Sequence, residues 1–392
     1  MTHATTTQPT SSRPSPRPSS RQAGRDTRPG FSLVELLTVI FIIVVVIAIV
    51  LPALAGVRDA AKKATTNTQL TDLLNAVSAF QQDQRRLPGY FSPREMGAQE
   101  NLTEGFTSME NMMLDLLGQD AVAKVKPSAW RVSADPAGGD TIQVGPTANA
   151  ANKVYVNLSL LSTDKKSYYT PPAKQLVGQY NDGGSVIQQA GKAGNTDAEG
   201  KNQMPDLVDS FGNPILAWVQ DDTANLRPVS DIKEFAAEYD QTTSNQPAAR
   251  FYWAQNAGFL KATNSGKANA NQQTQSMLGQ DVSATDRQTT LMALLGNPST
   301  PVQATATLNA DQILAGSAKG RVMLQSAGKD GVFLKKGDKQ AGRGLFQNNA
   351  NALVYGIGLK TDSGTPQLDA TGKPAVNDVL GGFDDLTVAG AN

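Results

Sequence analysis

The residue types that most often carry chemistry are scarce in this 392-residue chain. It has no Cys, which excludes a disulfide, a thiolate nucleophile and any Cys-ligated zinc site. Its single imidazole is His3, in a segment expected to be removed, so the remaining chain would lack a His-dependent triad, a zincin site and an imidazole base. An enzyme would have to rest on Asp, Glu, Lys, Ser or Tyr alone. Asp384 and Asp385 sit side by side in Gly-Gly-Phe-Asp-Asp-Leu, where an acid/base pair and a pair of solvated turn carboxylates are both open readings. Glu35 heads an apolar run, where an unpaired carboxylate in a bilayer costs about 3 kcal/mol and usually serves a function. The glycine-rich pieces Asp182-Gly183-Gly184 and Gly342-Arg343-Gly344 lack the Lys-Ser/Thr ending of a phosphate loop. Trp218, Phe251, Tyr252 and Trp253 are read as sheet core. With no catalytic constellation, the chain is read as not an enzyme.

The elements that must position these residues begin with a contrast. Residues 1–30 are rich in Thr, Ser, Pro and Arg and have no apolar run, so they cannot bury a core. From Leu36 to Ala55 the only polar side chain is Thr38, close to the ~20 residues that cross a ~30 Å hydrocarbon layer. Five arginines precede this span (Arg13, Arg17, Arg21, Arg25 and Arg28), against Asp26 alone, which places the leader in the cytoplasm and the C-terminal bulk across the membrane. The chain's 35 basic and 35 acidic residues become 30 and 34 without the leader, a net charge of −4 that gives no bulk attraction to nucleic acid.

Beyond Pro52 the helical pattern continues. Leu70, Leu73, Leu74, Val77 and Phe80 recur on one face, with Thr71, Asp72, Asn75, Ser78, Gln81 and Gln82 on the other. Leu87-Pro88-Gly89 stops the helix near Arg86, so residues 31–86 as one helix would be roughly 80 Å long. Further expected elements are helices at Ser108–Leu117, Ile232–Tyr239 and Thr289–Leu295, and strands at Thr141–Val144, Val154–Leu161, Ile215–Val219 and Arg321–Gln325.

The string Gly30-Phe31-Ser32-Leu33-Val34-Glu35-Leu36-Leu37-Thr38-Val39-Ile40 resembles the prepilin peptidase recognition segment of type IV pilins and type II secretion pseudopilins. The resemblance implies cleavage after Gly30, N-methylation of the new N-terminal Phe31, an assembly role for Glu35 opposite a neighbouring subunit's terminal amine, and a helix kink at Pro52. Three further fragments resemble the G-type major pseudopilin: Asn67 to Tyr90, the turn Asp209-Ser210-Phe211-Gly212-Asn213-Pro214, and the turn Ser326-Ala327-Gly328-Lys329-Asp330-Gly331. The implied fold is α+β, a long N-terminal helix packed on a small antiparallel sheet.

That fold implies a cleaved leader (1–30), a membrane or filament-core segment (31–55) and its amphipathic continuation (56–86). An inserted α/β connecting region (87–208) follows, then a C-terminal β region (209–392) that itself contains an insertion at about 222–320. The insertions, the second rich in Asn, Gln, Ala and Thr, read as surface decoration.

In the family the C-terminal loop binds Ca²⁺, which here would fall on Asp330 with Asp384 or Asp385. The implied function is a structural subunit of a type II secretion pseudopilus or related type IV filament, at the inner membrane with its C-terminal domain in the periplasm. The implied partners are prepilin peptidase, other pilin subunits in a homopolymer, an inner-membrane assembly platform and membrane lipid. Two alternatives stand beside it: a minor pilin or surface adhesin whose enlarged domain binds DNA, a surface or cargo, and an anchored periplasmic enzyme.

Overall fold

The computed structural model describes residues 31–125, 127–128, 130, 141–157, 160–161, 167–172, 175–177, 204–224, 229–263, 265–266, 268, 270–299, 313–340, 352–353, 355–357, 376–377 and 380–390. The chain divides into two units, Met1–Gly56 and Val57–Asn392. Helix α1 (Leu33–Gln84, 52 residues) supplies the described part of the first and opens the second.

In the first unit α1 is apolar on every side. From Leu33 to Leu54 its described large side chains are all exposed, as expected of a surface that water does not select. By length and composition this part of α1 is able to cross a membrane. Thr38, the single polar side chain between Leu36 and Ala55, donates its hydroxyl to the Val34 carbonyl at 2.8 Å, so it leaves no unpaired donor.

In the second unit α1 changes character. Leu70, Leu73, Val77 and Phe80 are fully buried, whereas Thr71, Asp72 and Asn75 stay exposed, the stripe that the sequence pattern predicts. The helix ends at Gln84 rather than near Arg86. Arg85 turns into the left-handed region (φ 60°), which closes the helix. Arg86 is then free to reach Asp115, with Nη1–Oδ2 at 2.6 Å and Nη2–Oδ1 at 3.0 Å, while stacking on the Phe80 ring. The Gly89 amide adds a third donor to the same carboxylate at 2.7 Å. Asp115 lies on α2 (Ser108–Leu116), whose start is fixed by a reciprocal cap between Thr107 and Glu110.

The central sheet is antiparallel with three strands, β3 (Ile215–Val219), β4 (Val322–Ser326) and β5 (Leu386–Gly390), in the order β5-β4-β3. Pairing Leu324 with Ala217 and with Val388 places Ile215, Ala217, Val219, Val322, Leu324 and Leu386 on one face. That face packs in one cluster with Leu70, Leu73, Val77 and Phe80 of α1. A smaller antiparallel sheet joins Val122–Ala123, β2 (Val154–Asn157) and β1 (Thr141–Val144). β2 stops at Asn157, short of the Leu161 expected from its apolar run.

The insertion at about 222–320 is not surface decoration. Leu216, Trp218 and Met323 leave the opposite sheet face strongly apolar, and the insertion covers it with Phe235, Phe251, Trp253, Leu291 and Leu294 in a second buried core. Trp218, Phe251, Tyr252 and Trp253 are all buried, and the polar tips find partners. Trp218 Nε1 donates to Gln325 Oε1, Trp253 Nε1 to the Leu278 carbonyl and Tyr252 Oη to Asp221. The expected helix Ile232–Tyr239 stops at Phe235, because Ala236 and Ala237 form a parallel pairing with Phe251 and Tyr252. The expected helix at Thr289–Leu295 is α3 (Ala284–Leu295), extended backward to a Ser283 cap.

The insertion's amides, which read as surface decoration, close the outer edge of β3. Gln255 both accepts from the Val219 amide and donates to the Val219 carbonyl, at 3.2 and 2.9 Å. Asn256 donates to the Ala217 carbonyl at 2.8 Å.

Candidate functional site

Two places collect the residues singled out in the sequence. The first is the start of α1. Gly30 and His3 lie outside the described residues. Phe31 is exposed and precedes the helix. Ser32 and Glu35 cap each other, the Ser32 amide donating to Glu35 Oε2 at 2.8 Å and the Glu35 amide to Ser32 Oγ at 3.2 Å. The pattern Ser32-x-x-Glu35 announces this box, yet the expectation for Glu35 concerned only its role between subunits. One oxygen of Glu35 thus satisfies an orphan amide of its own helix. Pro52 lies inside α1.

The second place is the end of the central sheet. Asp209, almost fully buried, accepts from the Phe211 and Asn213 amides through Oδ1 (2.8 and 2.9 Å) and from Ser326 Oγ through Oδ2 (2.6 Å). Asn213 Nδ2 donates to the Gly328 carbonyl at 2.8 Å. The turn 209–214 is therefore locked to the turn 326–331, far away in sequence. Gly328 and Gly331 take positive φ (63° and 74°), and a side chain at either would collide with Asp384 or Asn213.

Asp330, Asp338 and Asp384 meet at this corner, each offering an oxygen within 4.8 Å of the others. Asp384 Oδ2 accepts from the Asp330 amide at 3.0 Å, and its Oδ1 has no hydrogen-bond partner among the described residues. Asp330 Oδ2 faces Lys335 Nζ at 3.0 Å, so one ammonium already offsets part of the charge. Burial, reinforced by repulsion from Asp330 and Asp338, raises the Asp384 carboxyl above its ordinary range, although amide hydrogen bonds oppose the shift.

Of the expected oxygen ligands, Asp330 and Asp384 come together and Asp385 does not. Asp385 points inward, where it accepts from the Leu334 amide at 3.0 Å and from Gln325 Nε2 at 2.8 Å, and burial pushes its carboxyl well up. It holds Leu334, a buried residue at φ 46°. Asp338 was not foreseen. It arrives on the short helical turn Lys336–Gln340, with only its acidity as a signal. The donor set is all oxygen, which fits a hard cation such as Ca²⁺ as three of the six to eight ligands it takes.

No family model, curated protein or solved structure matches the chain.

Proposed function

We propose that this chain is a pilin-like structural subunit, closest in design to a pseudopilin, processed after Gly30 and assembled through α1. The observation that carries the reading is the division of labour within that one helix. Its first half exposes apolar surface on all sides, and its second half is the core of an antiparallel three-stranded domain. A helix with such a first half suits lipid, and the same surface can exchange lipid contacts for helix contacts at little net cost. In this reading the mature Phe31 amine pairs with Glu35 of a neighbouring copy, whose second carboxylate oxygen is not used by the Ser32 cap. Charge pairing in a low dielectric then fixes register more than it adds stability.

The same reading places the chain in the inner membrane, with prepilin peptidase and an assembly platform as partners and no catalytic activity of its own. Ca²⁺ held by Asp330, Asp338 and Asp384 would relieve their repulsion and pin the corner where the turns meet. N-terminal sequencing and intact mass of membrane-extracted protein test the proposal. A chain beginning at N-methylated Phe31 is the expected result, and an intact Met1 start refutes it.

A second reading, a minor pilin or adhesin, is favoured by the size of the domain and by the second core built by its insertion. Overproduction discriminates the two, since a major subunit forms homopolymers and a tip protein does not.

A further inference from the structure

The first helical turns after the apolar run carry cations that no carboxylate neutralises. Arg58, Lys62 and Lys63 are all exposed, and among the described residues none has an ion-pair partner. Arg58 and Lys62 lie about 40° apart around the helix and Lys63 about 140° from Arg58, so they form an arc on one side. The one acid within that arc, Asp59, is taken by Lys329, at 2.7 Å, which brings a further exposed ammonium from the 326–331 turn. Lys62 is steadied above the Phe211 ring at 5.4 Å. Across these five side chains the net charge is +3.

The sequence gives this collar its meaning. Between Phe31 and Val57 there is no Lys or Arg, so once residues 1–30 are removed the collar holds the nearest basic side chains to the apolar run. Arg58 follows that run immediately, at the depth where long basic side chains lay their stems on acyl chains and raise their charges to the phosphates.

We propose that Arg58, Lys62, Lys63 and Lys329 form a binding surface for anionic phospholipid headgroups on the far side of the membrane. The inference rests on the membrane-anchored reading of α1. Each basic residue close to an anionic surface contributes about a fivefold preference, so that the three helix residues together approach roughly 100-fold. The collar would hold the unassembled subunit at a fixed depth, and that hold must be released whenever α1 leaves the bilayer.

The test uses the full chain reconstituted in phosphatidylcholine vesicles with a minority of phosphatidylglycerol, and spin-labelled forms of each lipid. The motionally restricted part of the spectrum reports lipid touching protein, and its ratio between the two labels reports selectivity. At low salt we expect phosphatidylglycerol to be favoured about twofold or more, because the restricted signal averages every lipid touching the protein and not those at the collar alone, with parity in about 1 M salt, where the screening length is ~3 Å. The Arg58→Gln/Lys62→Gln/Lys63→Gln variant should also show parity, and Arg58→Lys/Lys62→Arg/Lys63→Arg should keep the preference. Parity in the wild type, or selectivity that survives the triple Gln variant, overturns the proposal. So does loss of selectivity on adding inorganic phosphate, which would indicate a discrete phosphate site. Absence of any restricted lipid refutes the membrane anchor itself.

Discussion

Replacing Asp384 with Asn should make the protein more stable without calcium and unresponsive with it. In the folded chain the Asp384 carboxylate lies within 4.8 Å of oxygens from Asp330 and Asp338. At an effective dielectric near 20, each such contact is worth about 3.5 kcal/mol of repulsion before screening. Lys335 offsets the Asp330 share, and Asp384 is only partly buried, so solvent screening reduces the remainder to about 1 kcal/mol. Asn keeps the shape and an acceptor for the Asp330 amide while removing the charge. Calcium held at the proposed site would act in the opposite sense on the wild type, because an ion that binds only the folded chain stabilises it by about 3 kcal/mol at one hundred times its dissociation constant. Thermal unfolding of the detergent-solubilised chain, with chelator and with millimolar Ca²⁺, reads both effects. A rise of a few degrees on adding Ca²⁺ to the wild type and none for Asp384→Asn is expected. An equal response in the two proteins refutes the assignment of Asp384 as a ligand, and destabilisation of Asp384→Asn in chelator refutes the repulsion argument.

Three further outcomes follow from the same geometry. Asp209, Asp384 and Asp385 all have carboxyls raised by burial, so the folded chain binds more protons than the unfolded one. Their contribution is therefore present in full below the ordinary carboxylate range and lost as pH rises through the raised values; unfolding in chelator should show stability falling as pH rises from mild acid to neutrality, and a rise over that window would refute the assignment. Glu35→Ala should leave membrane insertion intact and abolish filament assembly, scored by membrane fractionation and electron microscopy, and normal filaments would sink the pairing proposed for Glu35. Arg86→Ala should cost about 2 kcal/mol in denaturant unfolding, because it leaves the buried Asp115 carboxylate with the Gly89 amide as its remaining donor among the described residues. Arg86→Lys should recover only part of that, since an ammonium cannot span both oxygens.

What the sequence makes legible is what neighbouring residues decide. The Leu70–Phe80 stripe announces which face of α1 is buried, and Ile215–Val219, a short apolar run after a Gly-Asn-Pro turn, becomes a strand with the expected bounds. The Thr141–Val144 strand is legible for the same reason. Where contacts bridge long stretches of chain, the local pattern misleads. Ala236 and Ala237 continue a helical pattern but are drawn into pairing with Phe251 and Tyr252. Asp384 and Asp385 are indistinguishable as neighbours, yet the alternation of side chains entering β5 sends one to the acidic corner and the other to Gln325 and the Leu334 amide. Asp338 joins the corner only because the chain returns there after Asp330. The insertion's amide-rich composition reads as solvated, whereas Gln255, Asn256 and Gln272 are buried and spend their hydrogen bonds on backbone.

That last use of amides bears on how such a molecule tolerates crowding. A chain concentrated side by side with its copies is at risk of joining through any bare strand, and such joins propagate without limit. With Gln255 and Asn256 occupying the rim of β3, a neighbouring copy finds no ladder to extend there. In the proposed filament, growth is left to the apolar rod, whose contacts with lipid and with other copies exchange at little net cost. In that reading the glutamine and asparagine at the rim help separate reversible polymerisation from the irreversible kind.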